Sequence, residues 1–172
     1  MDKIYAPWRH RYVTKTAHVE AEKKIKLKNE CIFCQQFAEN NDPKYFILKR
    51  FKHHAITMNL YPYNAGHLMV LPIEHKGELF ELSAQARQEM MELVNISIEL
   101  LKRTMKPEGF NVGLNLGIGG GGGIPSHLHF HVLPRWVGDI NFLATIGETK
   151  IVCSDFRHVY KQLKEELDKI KI

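Results

Sequence analysis

The chain has 172 residues, 44% hydrophobic and 25% charged, with a formal net charge of +5, enough for one domain with a real core and extensions. That composition is ordinary for a soluble globular protein, and the positive balance favours anionic partners while being too modest to imply nucleic-acid binding. No run nears the roughly 18 apolar residues of a membrane span and Met1-Asp2-Lys3-Ile4-Tyr5 lacks a signal-peptide core, so no membrane association and a cytoplasmic location are expected.

Residues 1–30 open with the aromatic and basic Tyr5-Ala6-Pro7-Trp8-Arg9-His10-Arg11-Tyr12-Val13 and continue as a Lys/Glu-rich stretch. Without a clear period, they read as an amino-terminal arm rather than a domain. Cys31-Ile32-Phe33-Cys34 follows, a spacing that in a reducing compartment points to metal binding or redox chemistry before a structural disulfide. The third cysteine, Cys153, reads as a small buried residue. Strands are expected at residues 45–48 and 54–60, with a turn over 61–66 where Pro62 and Gly66 punctuate, and a third strand over 67–72 ended by Pro72. His53 and His54 would face opposite sides of a strand, which favours a surface explanation for the pair.

Ser83 can cap a long helix from about Ala84 to Thr104, with Leu82, Ala86, Met90, Leu93, Ile96, Ile98, Leu100 and Leu101 as its apolar stripe. Met90 and Met91 read as core filler. Lys106-Pro107-Glu108-Gly109 stops the helix and residues 110–116 read as the next strand. Residues 137–152 suggest a loop and a short strand, and Ser154 can cap a final amphipathic helix carrying Phe156, Val159, Tyr160, Leu163 and Leu167. Strands, one long helix, then strands make an α+β domain with an antiparallel sheet.

The stretch that organises the rest is Ser126-His127-Leu128-His129-Phe130-His131-Val132-Leu133-Pro134-Arg135-Trp136. Polar and apolar residues alternate, so a strand would set His127, His129 and His131 on one face, about 6.6–7 Å apart from one to the next. Leu128, Phe130 and Val132 would cover a core on the other face. Directly upstream run Gly119 to Gly123; a loop without Cβ atoms lets backbone N–H groups close around an anion such as phosphate. A metal-binding strand after a flexible connection is the plainer alternative.

At these histidines the sequence resembles the histidine-triad superfamily of nucleotide-binding hydrolases and transferases. The signature His-φ-His-φ-His-φ-φ, with φ apolar, is met at every position from His127 to Leu133. Asn59 before a turn, Gly66-His67-Leu68-Met69-Val70-Leu71-Pro72 and His75 recur in that superfamily. Trp8-Arg9 and Pro134-Arg135-Trp136-Val137-Gly138-Asp139-Ile140-Asn141-Phe142 resemble the branch of diadenosine tetraphosphate phosphorylases and ATP adenylyltransferase-like proteins. One departure stands out. Hydrolase-like members usually carry a phosphate-contacting glutamine four residues before the first triad histidine, and this chain has Gly123 there. A wider pocket favours inorganic phosphate over water as acceptor.

The resemblance implies a histidine-triad nucleotide-binding domain over residues 31–152, with residues 153–172 as a helix packed on it. It makes His129 the nucleophile, forming a covalent nucleotidyl-histidine, its other ring N–H held by a backbone carbonyl of the same strand. His131, Gly122, Gly123, Ser126 and Asn115 would contact phosphate oxygens, and Asn59 ribose hydroxyls; either asparagine can instead be an ordinary turn or strand-edge residue. Cys31, Cys34, His75 and His127 would close a structural zinc site. The implied reaction is phosphorolysis of diadenosine tetraphosphate to ADP and ATP. Its alternatives are a hydrolase of diadenosine polyphosphates or adenylyl amidates and a non-catalytic, zinc-stabilised nucleotide-binding module. A homodimer is implied as well.

Overall fold

The computed structural model describes residues 31–140, 146–147 and 154–170. The amino-terminal arm with Trp8-Arg9, the Asn141-Phe142 pair, Cys153 and the short strand expected before residue 152 lie outside the described residues.

The described chain forms helix α1 (Ile32–Ala38), strands β1 (Ile47–Arg50), β2 (His54–Met58) and β3 (Leu68–Pro72), and a 3-10 turn (Leu79–Glu81). Helix α2 (Ala84–Met105), strands β4 (Gly109–Leu114) and β5 (Phe130–Arg135), and helix α3 (Phe156–Leu167) complete it. The strands make one antiparallel sheet in the order β1-β2-β3-β5-β4. The α+β class and antiparallel sheet expected from the residue pattern are those observed. Among the described residues no helix is long and apolar enough to cross a membrane.

Every residue of β2 and β3 is buried, because both faces of the sheet are covered. Leu68 and Val70 of β3, Ile56 and Met58 of β2, and Leu128 and Val132 around β5 pack with α2 and α3 in the larger core. On the other face, Ala55, Met69 and Leu71 pack with Cys31, Phe33 and Phe37 from the α1 segment. Period-two alternation therefore assigns each strand residue to a helix-covered face or to the face shared with α1. The three triad histidines fall on the second.

Helix α2 starts where Ser83 Oγ accepts from the Ala86 amide at 3.1 Å. It ends at Lys106, whose left-handed φ of 49° turns the chain out before Pro107. Its stripe buries Ala86, Met90, Leu93, Val94, Leu100 and Leu101. Met91, expected to fill the core, is instead half exposed, because its neighbour Met90 already occupies the inward position. Helix α3 is capped by Asp155, which accepts from the His158 amide at 2.7 Å, rather than by Ser154. Tyr160 Oη and Lys164 Nζ donate to the carbonyls of Ile47 and Leu48 at 3.1 and 3.0 Å, tying α3 to β1.

Two expectations are corrected by these contacts. His54 is no surface residue: its side chain is fully buried on the helix-covered face, where its Nδ1 lies 3.1 Å from Glu89 Oε1 of α2. The histidine strand starts at Phe130, not at Ser126. Before that, His127 to His129 leave the ladder, because β3 ends at Pro72, which has no amide N–H to offer them. The Lys76 carbonyl accepts from the Leu128 amide at 2.7 Å instead.

Candidate active site

His127, His129 and His131 are all buried and share the α1 face, as the alternation requires. The rings of His129 and His131 lie 5.0 Å apart, centroid to centroid. Phe33 of α1 touches the rings of both His127 and His129, at 5.3 and 5.5 Å. Helix α1 thus seats two histidines against an apolar ring.

His129 Nδ1 lies 2.8 Å from the His127 carbonyl oxygen. A carbonyl carries no proton, so Nδ1 is the protonated nitrogen and a neutral His129 keeps its lone pair on Nε2. The geometry therefore fixes the tautomer of a nucleophile.

His131 is held differently. The Tyr63 amide, which can only donate, lies 3.2 Å from His67 Nδ1, and the Asn59 side-chain amide lies at the same distance. His67 Nδ1 therefore accepts, and a neutral His67 carries its proton on Nε2, 2.9 Å from His131 Nδ1. His131 Nδ1 accepts in turn and its proton sits on Nε2. That N–H is buried without a partner among the described residues. Burial, reinforced by His131 and His129, lowers the pKa of His67 to about 3; burial, reinforced by His129, lowers that of His131 to about 4. Both rings are neutral at pH 7, so the tautomer assignment holds there. Asn59 is itself locked, with its Oδ1 accepting from the Tyr61 amide at 3.0 Å.

On the other side of His129, Cys31, Cys34, His75 and His127 converge, their ligand atoms all within 4.8 Å of one another. His127 Nε2 donates to the Pro72 carbonyl at 2.8 Å, which leaves the Nδ1 lone pair facing the thiols. The sulfur–nitrogen separations are 3.3 Å for Cys31–His127, 3.2 Å for Cys34–His75 and 3.6 Å for Cys34–His127. Sulfur and nitrogen ligands on a tetrahedral zinc are about 3.6 Å apart, from bond lengths near 2.3 and 2.05 Å. The donor set, the tautomer and the spacing all fit a metal ion. Burial, with His75 and His129 nearby, lowers the His127 pKa to about 4, so the ring is a neutral ligand.

The glycine run folds back on the end of β4. A Cβ on Gly122 would lie 3.1 Å from the Asn115 carbonyl oxygen and 3.0 Å from that of Gly117, so this position needs glycine for space. The Gly122 amide donates to the Gly117 carbonyl at 3.2 Å and is committed within the loop. A Cβ on Gly123 would meet nothing within 4 Å, and its φ is not in the left-handed region. Neither packing nor backbone conformation demands glycine at 123. Gly123, Ser126 and the Asn115 side chain make no hydrogen bond among the described residues, and Asn115 follows the Leu114–Phe130 pair of the β4–β5 register toward His129.

The residue that sequence reasoning left out of the site is His67. Its signal was available: in the run His67-Leu68-Met69-Val70-Leu71 it is the polar member of the face that carries Met69, the register partner of His131.

Comparison with known proteins agrees with this geometry. The HIT domain family matches residues 40–137. The AP-4-A phosphorylase of Mycobacterium tuberculosis is 36% identical over 169 residues, covering 96% of this chain and 84% of that protein. An asymmetrical bis(5'-nucleosyl)-tetraphosphatase of Schizosaccharomyces pombe is 25% identical over 95 residues, covering 55% of this chain and 52% of its own length. Among solved structures, a Zn-bound histidine triad family protein from Mycobacterium smegmatis superposes with a TM-score of 0.67 at 19% identity, covering 81% of this chain and 94% of that one.

Proposed function

The chain belongs to the HIT domain family, and from that premise we propose that it transfers a nucleotidyl group through His129, in the phosphorolysis of diadenosine tetraphosphate to ADP and ATP. The observation that carries this reading is the 2.8 Å contact from His129 Nδ1 to the His127 carbonyl, which leaves Nε2 as the attacking atom. The Nε2 lone pair forms a bond to an α-phosphorus while the bond from that phosphorus to the bridging oxygen breaks, and ATP leaves with the electron pair. An oxygen of inorganic phosphate then attacks the adenylyl-histidine, the phosphorus–nitrogen bond breaks, and ADP departs with the lone pair returned to Nε2. The unpartnered Nε2–H of His131 donates to the α-phosphate oxygens, where charge builds up. Asn115, Gly123 and Ser126 have free hydrogen-bonding groups for the rest of the chain of phosphates.

Phosphate as acceptor is supported by the open space at Gly123, where hydrolase-like members carry a glutamine. The 36% identity to a protein called AP-4-A phosphorylase points the same way. Cys31, Cys34, His75 and His127 would hold zinc. Bound there, the ion supplies a closed structural crosslink, and the chain itself uses His127 both as ligand and as the carbonyl that orients His129. A homodimer would have an available edge at β4, the last strand of the sheet, where Val112 is exposed.

The test is incubation of the protein with diadenosine tetraphosphate, with and without phosphate, beside His129→Ala. ADP plus ATP formed only with phosphate, and abolished in the variant, is the expected result. AMP plus ATP without phosphate makes the protein a hydrolase, with water as the acceptor. No turnover leaves a zinc-stabilised binding module.

A further inference from the structure

The run Pro134-Arg135-Trp136-Val137-Gly138-Asp139 follows the triad signature directly, and none of the transfer steps involves it. It closes a turn after β5. The Asp139 amide donates to the Trp136 carbonyl at 3.1 Å, with Gly138 at a left-handed φ of 80° inside the turn. The turn brings the Asp139 carboxylate back onto Arg135, whose Nε and Nη2 donate to its two oxygens at 2.6 and 2.8 Å. The Trp136 amide adds a third donor at 3.1 Å. Hydrogen bonding from Arg135 holds this carboxyl well below the usual carboxylate range, so Asp139 only accepts.

A fourth donor comes from 75 residues away: Asn64 Nδ2 reaches Asp139 Oδ2 at 2.8 Å and the Pro134 carbonyl at 2.9 Å. Both partners are acceptors, so both protons of that nitrogen are spent and the amide has one orientation. Asn64 is buried, and it lies in the turn between β2 and β3. The residue before it is Tyr63, whose amide donates to His67 Nδ1 and begins the donor chain to His131. The Tyr63 ring also tilts over His67 and His131, at 4.9 and 5.7 Å centroid to centroid. Apolar burial does not fix this tip of the turn, since Tyr61 and Tyr63 are 81% and 54% exposed. Asn64 does. Its carbonyl accepts from the His67 amide at 3.2 Å, and its side chain ties the tip to the end of β5.

We propose that Asn64 and Asp139 are positioning residues for nucleotidyl transfer: they lock the Tyr63 amide onto His67 Nδ1 and so keep the His131 Nε2–H aimed at phosphate. With the tie cut, the tip moves and the Tyr63 donor leaves. Only the Asn59 side-chain amide then remains on His67 Nδ1, at 3.2 Å. In the fraction of molecules where His67 takes its proton on Nδ1, His67 Nε2 offers a lone pair and His131 Nδ1 carries the proton. His131 Nε2 then turns an acceptor toward the anion, which is the wrong group for a developing negative charge. The ion pair of Arg135 and Asp139 thus bears on the reaction without touching substrate. The inference rests on the nucleotidyl-transfer reading and adds to it the residues that set the proton order of His131.

The experiment compares zinc-saturated wild type, Asn64→Ala and Asp139→Ala in kcat and KM for diadenosine tetraphosphate with phosphate. Ring-nitrogen NMR reads the tautomers of His67 and His131 in the same samples, and circular dichroism establishes that each variant is folded. Each variant should lose roughly three- to tenfold in kcat, less than removal of an orienting partner outright, with KM within about twofold of wild type. In the spectrum, the Nε2–H form of both rings should give way to a mixture with Nδ1–H. Because the effect passes through His67, adding Asn64→Ala to His67→Leu should cost no further turnover. Wild-type tautomers in folded Asn64→Ala, or losses that multiply in the double variant, make the tie purely structural and overturn the proposal. Should Asn64→Ala not fold, Asp139→Ala, in which Asn64 keeps its bond to Pro134, carries the same readouts. A wild type that turns nothing over sinks the transfer reading, and the spectrum then still decides whether Asn64 and Asp139 set the His131 tautomer.

Discussion

His127 and His131 flank His129 at equal sequence distance and are both buried, yet the protein surrounds them with opposite chemistry. On the His127 side stand two thiols and a second imidazole, with the ring proton given to the Pro72 carbonyl. On the His131 side stands a chain of donors, from the Tyr63 amide through His67, ending in an N–H that has no partner among the described residues. The first environment turns a lone pair toward a cation and the second turns a proton toward an anion. Identical residues at identical spacing thus acquire different work from what their other ring nitrogen touches. The centre, His129, uses each flank: the His127 carbonyl sets its tautomer and the His131 N–H stands 5.0 Å away, ring to ring.

The largest effect is expected from stripping the metal side. Treatment with a strong chelator, or Cys34→Ser, should lower Tm by roughly 10 °C or more. Turnover should fall with it, because the segment that carries His127 also carries the carbonyl holding His129. Adding zinc back to the chelated protein should restore both. Thermal scans that are indifferent to chelator would end the view of this flank as a metal site.

His131→Ala tests the other flank. Turnover of diadenosine tetraphosphate should fall about 100-fold to 1000-fold, the usual loss when one donor to a developing charge is removed. Zinc content, measured by atomic absorption, should stay at the wild-type value, since the cluster lies across His129 from this ring. A variant that loses metal along with activity would show that the two flanks are not separable.

A smaller loss is expected from His67→Leu, about 10- to 100-fold in turnover, the range seen when the partner that orients a functional imidazole is deleted. Without the His67 Nε2–H, His131 Nδ1 has no donor to accept from, and the ring is free to move its proton to Nδ1 and present a lone pair to phosphate. Unchanged turnover in His67→Leu would mean that His131 keeps its tautomer without help.

How far the sequence reveals this asymmetry depends on whether the partners belong to a recognisable pattern. The C-x-x-C pair, His75 after Pro72 and the alternating histidines are each local patterns, and the strand period places the site face; the family resemblance joins them into one cluster, for Cys31 and His127 stand 96 positions apart. Ser83 before a 22-residue helix is a local capping signal too. The His131 side is not local: it needs Tyr63 to meet His67 across a turn and His67 to meet His131 across 64 positions. His54 with Glu89 is the same case, a buried pair 35 residues apart that a strand pattern alone sends to the surface. Helix α1 escaped notice because its seven residues are too short to show a period and Cys31 gives it no side-chain cap. The early end of the histidine strand hinges on Pro72, whose missing N–H matters only once the β3–β5 register is known.

The smallest effect lies in the pH dependence of stability, and it separates the flanks without any substrate. Burial holds His67 at about 3, against an ordinary histidine value of 6.5. A ring with a depressed folded pKa takes up its proton in the unfolded chain first. Its contribution to stability is therefore fully present above about pH 6.5, where neither state is protonated, and is lost progressively as the pH falls from there toward about 3. In that window one such ring adds at most about 1.4 kcal/mol per pH unit to the acid sensitivity, or roughly 4 °C in Tm for a chain of this size. His67→Leu removes that proton uptake, so its Tm should fall less steeply with acidification than wild type, by up to that amount, with zinc saturating in both. The sign is the informative part. If His67 were instead a charged partner stabilised by the fold, its pKa would be raised, acid would protect the wild type relative to the variant, and the donor chain to His131 would have to be redrawn.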